Sequence, residues 1–375
     1  MEKAESEREF WKGRRVLVTG HTGFKGGWLA TWLLEAGAVV TGYALPPERP
    51  LSYFESCGLS ALMHSLYGDI RDADALKAEV SAASPDVVFH LAAQSLVRRS
   101  YGSPAETFAT NVMGTVNLLE AVRATPSVRA VVVVTSDKCY READRALGYD
   151  EGDALGGRDP YSASKACAEI VAASYGASFF NRAKRVVGLA TVRAGNVIGG
   201  GDWAEDRLVP DAIRALASSR PLMVRNPRSI RPWQHVLEPL SGYLVLGRRL
   251  YDEPERYAGP WNFGPRPADM VSVAELAEMI VQSWGEGCWQ VLPDQTSALY
   301  EAPKLTLNSA KVKSELGWEP RLNLHEALSM TVRWYKAACS RPQCSMHDLS
   351  REQIRRYESL AGATSPHEEA DRADG

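Results

Sequence analysis

Along the first two-thirds of the chain, apolar residues gather into short unbroken runs, separated by stretches whose apolar positions recur with a helical period. The runs are Arg14–Thr19, Ala38–Leu45, Ser65–Ile70, Asp86–Ala93, Arg129–Ser136 and one within Arg185–Arg193. Every residue from Ala130 to Val134 is apolar, so this strand must be covered on both faces, as strands of parallel sheets are. Helical stretches at Gly26–Ala36, Ala75–Ala83, Glu106–Ala124 and Tyr161–Phe179 lie between the runs. The alternation predicts an α/β fold with a doubly wound parallel sheet.

After about Gly199 the pattern loosens, and Pro, Gly and aromatic residues become frequent, as in Arg231-Pro232-Trp233 and Trp261-Asn262-Phe263-Gly264-Pro265. Capping boxes at Ser272/Glu275 and Asn323/Glu326 announce two helices. The expected organisation is a nucleotide-binding domain over 10–200 and a smaller mixed lobe over 201–345, closing on the sheet's carboxyl edge. The division leaves room for the chain to cross back from that lobe to the sheet. From about Ala361 the composition is small, polar and charged, a frayed tail over 361–375.

Of 375 residues, 45% are hydrophobic and 24% charged, enough for a sizeable core. A net charge of −3 gives no general reason to bind nucleic acid or an anionic membrane. No apolar run reaches the roughly 18 residues of a membrane span, and Met1–Phe10 has no apolar signal core. The six cysteines show no zinc-site spacing. These features predict a cytoplasmic protein without a metal.

The first strand runs into Gly20-His21-Thr22-Gly23-Phe24-Lys25-Gly26. Glycines let the backbone approach a pyrophosphate, and the helix that follows offers unpaired N–H groups. Asp69 and Ile70 close the third strand, where a carboxylate can accept from an adenine amino group. Leu91, Ala92 and Ala93 follow the fourth, where small residues leave room for a dinucleotide. A Rossmann-type site is the expectation. The second strand, ending Gly42-Tyr43-Ala44-Leu45, carries no acid for a ribose diol, and no immediate Arg or Lys pair answers a 2′-phosphate, although Arg49 follows. NAD is the favoured cofactor.

Tyr161 and Lys165 lie one helical turn apart behind Pro160 and share a face. A lysine ammonium near a phenol favours phenolate, so the expectation is a tyrosine whose pKa is lowered enough to take a hydroxyl proton. Ser136, at the end of the preceding strand, can share the same substrate hydroxyl. A surface Lys and half-buried Tyr on an ordinary helix is the bland alternative.

Together the glycine loop, Asp69, Ser136 and the Tyr161/Lys165 pair resemble the extended short-chain dehydrogenase/reductase family. Within it, Val18–Lys25, Thr135–Tyr140, Asp159–Lys165, Arg193–Trp203 and Ile230–Val236 resemble the CDP-glucose 4,6-dehydratases, in order along roughly residues 10–340. The resemblance implies intramolecular redox chemistry on CDP-glucose with bound NAD. The C4 hydroxyl is oxidised with Tyr161 as base, water leaves across C5 and C6, and hydride returns to C6. Asp137 and Lys138 then supply acid and base for the elimination, Asp137 suiting the acid; Lys138 can act as base only when neutral, and the division of roles stays open. Asn196, Arg207 and Arg231 are candidates for the diphosphate or sugar, and Glu301 for a substrate lid. The family also implies a homodimer or higher homo-oligomer, built on Glu106–Ala124 and Tyr161–Phe179. The alternatives are an NAD-dependent C4 epimerase, which does not need the Asp137/Lys138 pair, and a non-catalytic NAD-binding regulator, expected to lack Tyr161 or Lys165.

Overall fold

A computed structural model describes residues 2–48, 51–143, 148–182, 185–292, 305–340 and 345–360. The expectations at Arg49, Glu301 and 361–375 lie outside the described residues. Seven strands form one parallel sheet: β1 (Arg15–Thr19), β2 (Val39–Ala44), β3 (His64–Tyr67), β4 (Val87–His90), β5 (Ala130–Val134), β6 (Gly188–Ala194) and β7 (Gly259–Phe263), in the order β7-β6-β5-β4-β1-β2-β3. The chain leaves β1 towards β2 and β3, then returns to the other side of β1 to lay down β4. The carboxyl ends of β1 and β4 therefore diverge into a crevice, the place where open α/β sheets bind ligands.

Period-2 alternation sorts the strand side chains into two cores. Val16, Val18, Val87, Phe89, Ala130 and Val132 face one side, where α1 (Glu2–Trp11), α2 (Phe24–Glu35) and later helices pack. Leu17, Val88, Val131 and Val133 face the other, against α3 (Ala73–Ala83), α4 (Gly114–Ala124) and α5 (Pro160–Tyr175). Each such buried Val or Leu contributes roughly 1.5–3 kcal/mol, so the strand ends are held by dense packing on both faces.

Two expected helices differ in detail. The 106–124 stretch is broken into Pro104–Phe108 and α4 by a π turn at Ala109–Met113. Asn111 in that turn is buried and takes up the Gln94 backbone, accepting from its N–H at 2.8 Å and donating to its carbonyl at 3.0 Å. The second helix ends at Tyr175 and passes into another π turn, Gly176–Phe180. β3 stops at Tyr67, not Ile70, because Gly68 lies against the Tyr43 ring, where a Cβ would stand 2.3 Å from the hydroxyl.

Beyond Gly199 the chain adds α6 (Leu208–Leu216), α7 (Leu237–Asp252), α8 (Val273–Trp284), α9 (Leu324–Cys339) and α10 (Met346–Ser359), with short strand pairs; α7 returns to the face of the sheet, its Gly242 lying against Phe263 and its Gly247 against Phe89, and α10 packs on α2 through Tyr357 and Trp32. Both capping boxes are present, at the starts of α8 and α9. Within this stretch β7 crosses back to become the sheet's edge. Gln234–His235 pairs with Val197–Ile198 and ties the lobe to the loop after β6. Among the described residues no helix is long and apolar enough to cross a membrane.

Candidate active site

The loop after β1 is shaped by two glycines. Gly20 has φ +77°, and a Cβ there would stand 2.6 Å from the Ala92 nitrogen. At Gly26 a Cβ would fall 2.1 Å from the Gly20 carbonyl oxygen. Gly23 caps α2 without any side-chain acceptor, and no acid occupies the first turn, so the N–H groups there face the crevice available to an anion. Thr22 donates to the Leu45 carbonyl at 2.9 Å, pinning the loop to the end of β2. Phe24 is half-buried and closes against Gly199, where a Cβ would meet its ring at 3.1 Å. At the neighbouring strand ends, Asp69 is engaged by Arg71, including Nη2–Oδ2 at 2.5 Å, and Arg71 holds its carboxyl below the ordinary range. Ile70 is buried on Gly114, while Leu91, Ala92 and Ala93 are half-buried under the crevice.

Ser136, Asp137 and Lys138 follow β5. Ser136 Oγ donates to Asp137 Oδ1 at 3.0 Å and accepts from the Lys138 N–H at 3.2 Å, capping a single 3₁₀ turn, Asp137–Cys139. Asp137 is 3% exposed, and its Oδ2 has no hydrogen-bond partner among the described residues. Burial raises its pKa, against the pull of Lys138, the Ser136 hydroxyl, Arg231 and Lys25. The result is a buried carboxyl whose pKa lies above the ordinary carboxylate value, with one oxygen that has no partner among the described residues.

On α5, Asp159 caps the first turn through Ser162, and Pro160 leads into Tyr161. Tyr161 is buried beside the Ser136 hydroxyl, with Asp137 and Arg207 nearby. Its phenol departs from the expectation of a lowered pKa. Burial pushes it up to about 12; Ser136 and Arg207 pull it down, and Lys165 is not among the main influences. Lys165 instead donates from Nζ to the Val134 carbonyl at 3.0 Å, and burial lowers it to about 8. Lys25 is likewise lowered to about 8, by burial first and then Arg207, with Asp137 opposing. The glycine-loop lysine thus belongs to the same electrostatic cluster as Asp137, Lys165, Arg207 and Asp202.

The remaining candidates lie in the lobe, at Arg207 and Arg231, and in the loop after β6, at Asn196. Arg207 pairs with Asp202 at 2.8 Å and donates to Ser95 Oγ at 3.3 Å, so it bridges the mouth of the crevice. Arg231 is buried and acts on Asp137, while Asn196 is half-buried and receives the Gln234 N–H on its carbonyl at 3.1 Å. Gly195 sits directly behind Asp137; a Cβ there would stand 3.2 Å from Oδ2. Sequence reasoning passed over Glu169 and Arg193, a buried ion pair at 2.7 Å behind Lys165. The available signal was spacing, since Glu169 lies one turn beyond Lys165 on the same face.

The family model described as GDP-mannose 4,6 dehydratase matches residues 17–331. The chain belongs to that family. A CDP-glucose 4,6-dehydratase of Salmonella typhimurium is 51% identical over 334 residues, covering 88% of this chain and 93% of that protein. Among solved structures, MoeE5 in complex with UDP-glucose and NAD superposes with a TM-score of 0.72 at 26% identity, covering 87% of this chain and 99% of that one. The dTDP-glucose 4,6-dehydratase DesIV of Streptomyces venezuelae shares the fold, with a TM-score of 0.74 at 24% identity over 88% of this chain and 99% of its own.

Proposed function

We propose that this chain converts CDP-glucose to CDP-4-keto-6-deoxyglucose as an NAD-dependent 4,6-dehydratase. The observation that carries the reading is Asp137: a buried carboxyl whose pKa burial raises, with one oxygen that has no partner among the described residues, next to Ser136 and Tyr161. A C4 epimerase has no use for such an acid. The choice of CDP-glucose is supported by the 51% identity to the Salmonella enzyme.

The crevice fits NAD: Gly20 and Gly26 admit no Cβ, and Gly23 leaves the first turn of α2 open for a pyrophosphate. Gly20, Thr22, Gly23, Phe24, Lys25 and Gly26 would hold that group, with Asp69, Ile70, Leu91, Ala92 and Ala93 along the adenosine side and Tyr161 and Lys165 at the ribose. NAD bound there supplies the acceptor for a hydride from C4 and the donor of a hydride to C6.

Once ionised, under the pull of Ser136, Arg207 and the positive charge that bound NAD⁺ would add, Tyr161 takes the C4 hydroxyl proton while Ser136 shares the hydrogen bond to that oxygen. The C4 carbonyl so formed acidifies the C5–H bond. Asp137 donates its proton to the C6 oxygen, which leaves as water, and the adjacent Lys138 is left to handle the C5 proton. Arg231 and Arg207 bind the diphosphate, with Asn196 beside them. Glu301 remains the lid candidate from the sequence alone.

A homodimer belongs to the same proposal. Phe108, Met113, Ile170 and Phe179 are large apolar residues at least one-third exposed on the helices around α5, the apolar surface a second copy would cover. Light scattering of the wild type and of Ile170→Glu tests it; a wild-type monomer refutes it. A cytoplasmic location completes the reading. The activity is tested by incubating the enzyme with CDP-, UDP-, dTDP- and GDP-glucose and following loss of one water by mass spectrometry. Turnover of the CDP sugar is expected; turnover of another nucleotide sugar alone rejects the substrate assignment.

A further inference from the structure

Tyr161, Lys165 and Glu169 recur every four residues along one face of α5, and Glu169 has no part in the steps above. Its carboxylate is 4% exposed and engages four donors. Oε1 accepts from Arg193 Nε at 2.9 Å and from the Thr135 hydroxyl; Oε2 accepts from Thr191 Oγ1 at 2.6 Å and Arg193 Nη2 at 2.7 Å. Arg193 continues the network, donating to the Tyr140 hydroxyl at 2.6 Å, which donates in turn to Asn262 Oδ1 on β7 at 2.8 Å. Two consecutive residues of the segment leading into Ser136 are thus gripped from α5. Val134 receives the Lys165 ammonium on its carbonyl, and Thr135 donates its hydroxyl to Glu169.

We propose that Glu169 is a positioning residue for the dehydratase reaction, locking the strand end that carries Ser136 and Asp137 to the helix that carries Tyr161 and Lys165. This rests on the reading of the site given above. Glu169 touches no reacting atom; it acts through Thr135 and through Lys165. Burial lowers Lys165, and Glu169 is the largest opposing influence, with Cys139 next. The charged and titratable groups around Lys165 come from every neighbouring element: Glu169 on α5, Cys139 after β5, His90 on β4 and Lys25 on α2. Around Glu169 they are Lys165, Cys139 and Arg193. Without the carboxylate, Lys165 loses its proton at a lower pH, and the Thr135 anchor is lost.

The test compares wild type, Glu169→Gln, Glu169→Asp and the pair Glu169→Gln/Arg193→Met, which removes both buried charges and so keeps the question open to measurement if the single variant strands Arg193 and fails to fold. Two readouts are taken between pH 6 and 10: kcat and KM on CDP-glucose, and the titration of Lys165 by competitive acetylation with mass-spectrometric quantification, which needs no turnover. In Glu169→Gln or the paired variant, kcat at pH 8 should fall at least tenfold with KM changed less than threefold. The alkaline limb of kcat and the Lys165 titration should both move about one pH unit down. Glu169→Asp should restore the limb. A folded variant whose Lys165 titration and alkaline limb stay at wild-type values overturns the proposal. If the wild type itself shows no turnover of CDP-glucose while Glu169→Gln still shifts the Lys165 titration, the positioning stands and the dehydratase reading is rejected instead.

Discussion

Glu238, in the first turn of α7, offers a sharp test of how this structure balances buried charge. It is 1% exposed. Its Oε1 accepts from the Arg321 and Leu322 N–H groups at 2.9 and 2.7 Å, and its Oε2 from the Tyr357 hydroxyl at 2.6 Å. Burial outweighs these bonds and raises the carboxyl to about 7. A folded-state pKa above the unfolded value means that the native protein holds the proton more tightly. Stability on this account is fully present below about pH 4.5 and is lost as pH rises towards 7. At about 1.4 kcal/mol per pKa unit, the loss is about 3 kcal/mol. Replacing Glu238 by Gln mimics the protonated form: the amide oxygen accepts from both backbone N–H groups and the amide nitrogen donates to Tyr357, whose hydroxyl can turn to Ser241 Oγ, 3.0 Å away. Glu238→Gln should therefore match wild type at pH 5 and exceed it at pH 8 by about 3 kcal/mol, roughly 4 °C in Tm for a chain of this length. The buried rings of His21, His90 and His235, pushed down to about 4, 3 and 3, give an opposite slope that is common to both proteins. Scanning fluorimetry at pH 5 to 8 reads the difference. Parallel Tm curves for the two proteins would refute the argument.

Three further outcomes follow from the crevice. Tyr161→Phe should keep the wild-type Tm and lose no more than about tenfold in NAD affinity, the worth of one ribose hydrogen bond, while kcat falls about 10²–10⁴-fold, the range for a lost general base; steady-state kinetics with calorimetry separate the two. Gly20→Ala places a Cβ 2.6 Å from the Ala92 backbone at φ +77°, so calorimetric titration should find NAD binding abolished. Asp137→Asn should lower dehydration by about 10²–10³-fold at every pH, because an amide cannot supply the proton; a rate within threefold of wild type would remove Asp137 from the mechanism.

The core of the fold was legible because its strands are apolar on both faces, and Ala130–Val134 could be nothing but central. β7 was not, since Gly259-Pro-Trp-Asn-Phe lies among turn residues and pairs on one side only, with β6. The charged sequences of α1 and α10 conceal a mutual anchor: Trp11 is buried, and Arg8 pairs with Glu358. Within the site, the glycine loop, Ser136 and Tyr161/Lys165 were visible as local motifs. The grouping of Lys25 with Asp137, and the Glu169–Arg193 pair behind Lys165, depend on elements far apart in sequence and emerge only when α2, β5, α5 and β6 meet. The direction of the Tyr161 shift was misjudged for the same reason: spacing shows that Lys165 is near, while burial and the Val134 carbonyl decide what it does.

The central claim is elimination across C5 and C6 on a CDP sugar, and deuterium reports it most directly. CDP-glucose incubated with the enzyme and NAD in deuterated water should lose one water and gain one deuterium at C5, seen by mass spectrometry and NMR of the product. A product of unchanged mass epimerised at C4, or no reaction despite bound NAD, would contradict the account.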